Sequence, residues 1–146
     1  MVKVQTLCSL ATGFILLITS QSGFAESHVF SNKDLRGTYA TSFEGEVVGI
    51  GSIASIGRIN PDGKGNIPRA VRVISVGGIP IPAGVFTCTY TVLPEGTGSA
   101  ECSTDEPAPG FPNTETFDFV LEDKGRAFRF VGTTPGVVIL GTAKRQ

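Results

Sequence analysis

Residues 84–103 read GVFTCTYTVLPEGTGSAECS, and the fold follows from this stretch. Phe86, Cys88, Tyr90 and Val92 alternate with Thr87, Thr89 and Thr91. Beyond Pro94-Glu95-Gly96, Gly98, Ala100 and Cys102 alternate with Thr97, Ser99 and Glu101. A period of two belongs to strands with one face buried. Proline presets the first turn position, and glycine accepts the positive φ that closes a three-residue hairpin loop. Folding the two runs about Glu95 sets Cys88 opposite Cys102, on the face that also carries Phe86 and Tyr90. Turn chemistry and cysteine spacing thus give one register independently, and they predict a disulfide-locked β-hairpin.

Two more hairpins flank this one. Towards the C-terminus, residues 114–122 and 126–132 enclose Asp123-Lys124-Gly125. The register that buries one aromatic face pairs Leu121 with Phe128 and Phe119 with Phe130, because a one-residue slip would split the aromatics between faces. Towards the N-terminus, residues 50–60 and 64–76 enclose Pro61-Asp62-Gly63. Folding about Asp62 places Ile53, Ile59, Ile67, Val71 and Val73 on one face and Arg58, Asn66 and Arg72 on the other. Residues 77–84 carry Pro80 and Pro82 and read as a loop, since alternate prolines do not fit a central strand. Residues 104–112 form the longest irregular segment.

The remaining strands open and close the chain. In RGTYATSFEGEVV, Gly37, Tyr39, Thr41 and Phe43 share a face, and residues 137–144 form the last strand. Ahead of the first strand, Ser31 is suited to cap one short helical turn at 32–35. The expected fold is all-β: a single small antiparallel up-and-down barrel of about eight strands, whose closure removes exposed strand edges. A β-sandwich is the alternative.

The N-terminus reads as an address. Lys3 precedes an apolar run over residues 7–18, and Gly23-Phe24-Ala25 supplies small residues for cleavage after Ala25. The organisation is therefore a signal peptide at 1–25, a polar lead-in at 26–35 and a barrel domain at 36–146. Cys8 leaves with the signal, and Cys88 and Cys102 remain for an oxidising compartment, periplasmic or extracellular. After cleavage no stable membrane anchor is expected. Twelve Lys and Arg against thirteen Asp and Glu exclude the basic footprint of a nucleic-acid binder. The lone histidine, His28, and the separation of the cysteines exclude a zinc site; no metal or cofactor is expected.

Asp34-Leu35-Arg36-Gly37-Thr38-Tyr39, followed by an antiparallel meander, is similar to the start of the calycins, the lipocalin and avidin-like barrels. In those proteins a helical turn precedes a Gly-x-Trp strand, and a cation from the last strand crosses the aromatic ring. This chain has no tryptophan, so the resemblance implies Tyr39 in that place, with Lys144 or Arg145 as the cation. The allene oxide cyclase barrel is similar in architecture. The Leu-x-Gly-Thr-Tyr start, the Pro-Asp-Gly-x-Gly turn, the Tyr-Thr-Val-x-Pro-Glu-Gly-Thr-Gly hairpin and the Gly-x-Ala-Lys-Arg ending resemble a group of small exported bacterial proteins. That resemblance implies fold and compartment and assigns no catalytic residue.

Tyr39, Phe43, Phe86, Tyr90, Phe117, Phe119, Phe128 and Phe130 are the candidate ligand-binding set. A small barrel can enclose one small molecule, and the competing reading of the same residues is a filled core. Asn60 to Asn66 has the start of a calcium loop but lacks its alternating carboxylates and distal glutamate, so turn chemistry explains it. Glu101, Asp105 and Glu106 form an acidic cluster that reads as a solvated loop. No serine sits in a Gly-x-Ser-x-Gly elbow, and no catalytic residue is assigned. Three functions are compatible with these residues: binding of a small apolar ligand, an interaction or structural module with a filled core, and a cyclase- or isomerase-like enzyme that shapes its substrate.

Overall fold

The computed structural model describes residues 28–107 and 111–146. The proposed signal peptide at 1–25 lies outside the described residues. Eight strands succeed one another in chain order: β1 (Tyr39–Val47), β2 (Gly51–Ile59), β3 (Asn66–Val76), β4 (Ile79–Val92), β5 (Thr97–Ser103), β6 (Thr114–Glu122), β7 (Ala127–Gly132) and β8 (Val137–Arg145). Each pairs with the next, and β1 pairs with β8 from Tyr39↔Arg145 to Val47↔Val137, which closes an antiparallel barrel. The up-and-down barrel expected from the sequence is the fold.

Two of the three hairpin registers are those expected. Cys88 lies opposite Cys102 and Tyr90 opposite Ala100. The Cys88–Cys102 disulfide is formed, with an S–S distance of 2.05 Å. Phe119 lies opposite Phe130 and Leu121 opposite Phe128. Each register buries its aromatic face, as the two-residue period requires.

The β2–β3 hairpin does not fold about Asp62. Ile59 pairs with Ala70, so residues 60–69 are not symmetric about the turn. Asp62 instead organises a compact loop: its Oδ1 accepts the backbone N–H groups of Lys64 and Asn66, and its Oδ2 accepts Asn66 Nδ2. Along β3 the ladder runs from Ile67↔Cys88 to Ala70↔Phe86, so Pro68 and Arg69 together oppose the single residue Thr87. This is a β-bulge, placed where proline has no N–H to give. It inverts the inside–outside parity of the rest of β3. Ile67, Ala70, Ile74 and Val76 are buried, Arg72 turns inward, and Val73, expected in the core, is exposed.

Residues 77–84 are also corrected. From Ile79 onward they are the first half of β4. The prolines are tolerated because β5 pairs only with residues 87–92, so Pro80 and Pro82 sit where β4 has its one neighbour in β3. That stretch is a sheet edge in all but name. A second irregularity, between Arg72↔Gly84 and Ile74↔Ile81, compensates the first.

A 3-10 turn at Asn32–Asp34 stoppers one end of the barrel. The backbone N–H and the hydroxyl of Ser31 donate to Asp34 Oδ2, at 2.8 and 3.2 Å. Asn32 Oδ1 accepts Val92 N–H, and the Tyr90 hydroxyl donates to Leu35 O at 2.7 Å. Leu35 is thereby carried into the core. Behind it Tyr39, fully buried, donates to Gly125 O. Arg145 supplies the cation across the ring, with its guanidinium carbon 5.3 Å from the Tyr39 centroid. The same guanidinium donates to Tyr39 Oη and to the carbonyls of Asp34 and Gly125.

Candidate functional site

The barrel interior divides into two apolar clusters. One gathers Leu35, Tyr39, Phe86, Tyr90, Phe119, Leu121 and Phe128 under the N-terminal stopper. The other gathers Val47, Ile53, Ile74, Val76, Phe111, Val137 and Ile139 at the opposite end. A cavity of about 100 Å³ lies within the first cluster and reaches the Phe43, Phe117 and Phe130 rings that pack against the second. Its wall takes Phe43, Phe86, Tyr90, Phe117, Phe119, Phe128 and Phe130, seven of the eight aromatic residues singled out from the sequence. The eighth, Tyr39, lies outside the wall, held against Phe128 at 5.6 Å between centroids. Leu35 from the stopper and the disulfide-bonded residues Cys88 and Cys102 also line the space.

Glycines make room for the rings. A Cβ on Gly141 would stand 2.3 Å from Phe130 Cζ and 2.7 Å from Phe43 Cβ. A Cβ on Gly98 would stand 2.4 Å from Phe119 Cζ. Ring atoms of Phe130 and Phe119 thus occupy the space that a side chain at Gly141 or Gly98 would take.

One charged residue reaches this wall among the described residues. Arg72, inverted by the bulge, points into the barrel with its side chain only 10 % exposed. Its guanidinium carbon lies 4.2 Å from the Phe86 centroid, 5.1 Å from Phe111 and 5.7 Å from Phe43. All three distances are within cation–π range. Its Nη1 and Nη2 donate to Glu115 Oε2 and Oε1, at 2.7 and 2.5 Å. Glu115 is 2 % exposed and does not line the cavity, so it backs the arginine from behind. This two-point fork is the geometry at which an arginine surpasses a lysine.

Strand alternation alone puts Arg72 outside, and no motif singles out Glu115. For Glu115 a signal exists: it shares strand parity with Phe117, Phe119 and Leu121, and a carboxylate on a buried face requires a partner. For Arg72 the only hint is Pro68, four residues earlier.

The other candidates lie apart from the interior. Glu101, which lies on β5 and not in a loop, is exposed, as are Asp105 and Glu106 in the loop beyond it. His28 Nε2 is 2.9 Å from Asp34 Oδ1, beside the stopper. Among the described residues no three His, Cys, Asp or Glu side chains converge as a metal site would need. Asp62 is held well below the ordinary carboxylate range, at about 2, by the hydrogen bonds from Asn66 and Lys64. Burial pushes the Tyr90 hydroxyl above its ordinary value. The chain matches no family model, no curated protein and no solved structure.

Proposed function

We propose that this protein is an exported carrier or scavenger that holds a small apolar molecule inside its barrel. The observation that carries the reading is the aromatic-walled cavity, whose Phe119 and Phe130 rings are seated against Gly98 and Gly141. An unfilled apolar space costs contact energy, so a chain that keeps one gains most when a ligand occupies it. Export is supported by the apolar segment at 7–18 and by the disulfide, which persists outside the reducing cytosol.

A second reading has the cavity's size in its favour. About 100 Å³ is small beside the roughly 300–1,000 Å³ of pockets for drug-sized ligands. On this reading the core is filled, and the outer face acts instead, where Ile56, Val73, Val131 and Leu140 are exposed.

Native and denaturing mass spectra of protein recovered from its exporting cells separate the two. An added mass that vanishes on denaturation is the expected result and identifies the ligand. A bare protein, with two hydrogens lost to the Cys88–Cys102 bridge, would favour the interaction module. The denatured mass also tests cleavage after Ala25.

A further inference from the structure

We propose that the molecule this cavity takes is an uncharged compound of about one six-membered ring, bearing a carbonyl oxygen that accepts a hydrogen bond from Arg72. The proposal rests on the binding reading above and adds the ligand's chemistry to it. A cavity of about 100 Å³ limits the guest to at most about one six-membered ring, since it is smaller than the roughly 150 Å³ apolar cavity that takes benzene. The wall sets the polarity. It is apolar apart from Thr41, Tyr90 and Arg72, and the Tyr90 hydroxyl is already donated to Leu35 O.

Arg72 has donors to offer. A guanidinium carries five N–H groups, and Glu115 takes one from each of the two terminal nitrogens. No other acceptor among the described residues is in hydrogen-bond contact with it. The Phe86 and Phe111 rings lie within cation–π distance of the guanidinium, which leaves a planar carbonyl to approach the N–H groups at its rim. Glu115 sets the charge. The pair is neutral as a unit, so a carboxylate ligand would bring a second anion beside Glu115, and an ammonium would meet the guanidinium. A saturated hydrocarbon would fill the space and leave the remaining arginine N–H groups without an acceptor.

Cyclohexanone and methylenecyclohexane have the same shape, with C=O in one and C=CH2 in the other, and serve as probes. Both are titrated by amide chemical shift into the wild type and into Arg72→Met/Glu115→Leu, which replaces the ion pair by apolar side chains of similar volume. Differences in water solubility cancel between the two proteins. The ketone's preference over the alkene should fall at least about tenfold in the variant, the usual worth of a hydrogen bond to a charged donor. Binding of the alkene to both proteins with an unchanged preference overturns the inference and leaves the binding reading standing. Failure of both probes to bind the wild type overturns the binding reading itself. Cyclohexanecarboxylate binding at pH 7 as tightly as the ketone overturns the neutral-ligand claim. A measurement on the wild type alone needs no variant. The carbonyl stretch of bound cyclohexanone should lie below its value in hexane, and a hexane-like frequency overturns the contact.

Discussion

At the scale of single residues the structure turns on Arg72 and Glu115. Taking two charges out of water is expensive, and mutual attraction with good geometry offsets it. Removing one partner leaves the other buried and unpaired. Arg72→Met should therefore destabilise the fold by about 3–5 kcal/mol in urea unfolding, whereas Arg72→Met/Glu115→Leu should recover most of that loss. A single variant as stable as the wild type would mean the pair is solvated. Gly141 is a second decisive residue. Gly141→Ala forces its methyl against Phe130 and Phe43, and the overpacking should cost about 1–3 kcal/mol. An unchanged urea midpoint would show that the rings are free to move aside.

At the scale of elements, the disulfide hairpin and the Asp62 loop make separate claims. The bridge spans 14 residues of chain, and removing it by Cys88→Ser/Cys102→Ser should destabilise the protein by about 3 kcal/mol in the chain-entropy account. The check is unfolding of wild type and variant under the same oxidising buffer, and equal midpoints would contradict it. The Asp62 loop speaks to pH. Its folded carboxyl titrates near 2, below the ordinary value of 3.8, so the unfolded chain takes up the proton first. The stabilisation is fully present above pH 4 and is lost as pH falls through about 2. The thermal midpoints of wild type and Asp62→Ala should accordingly differ at pH 7 and converge towards pH 2. A carboxyl resonance titrating near 3.8 would contradict the loop's hydrogen bonds.

The elements also show how far the sequence can be read. The 84–103 and 114–132 hairpins are legible because turn and apolar alternation agree in each, and in the first the cysteines add a third constraint. The calycin resemblance narrows the cation over Tyr39 to Lys144 or Arg145, and the barrel's closure register selects Arg145. The 50–76 pair misleads in its turn register and in its bulge. Its bulge at Pro68 and Arg69 adds a residue without breaking the apolar character of the strand, so alternation continues on paper while the faces exchange in space. Arg72 is the consequence. Pro80 and Pro82 are indeed unfit for a central strand. What the chain does not reveal is that β5 is too short to make that part of β4 central.

At the scale of the whole molecule, an eight-stranded barrel of this length must choose between a full core and an open one. Here Phe119 and Phe130 are seated against Gly98 and Gly141, and the N-terminal turn closes one end with Leu35. The result is a small apolar chamber with Arg72 on its side. The central claim is that this chamber admits a guest. Diffraction from crystals pressurised with xenon tests it without knowledge of the natural ligand, because xenon enters dry apolar cavities. A xenon atom is expected between Phe86, Phe119 and Phe128, within the barrel and beside Arg72. A barrel interior without xenon, its side chains packed across that space, would contradict it.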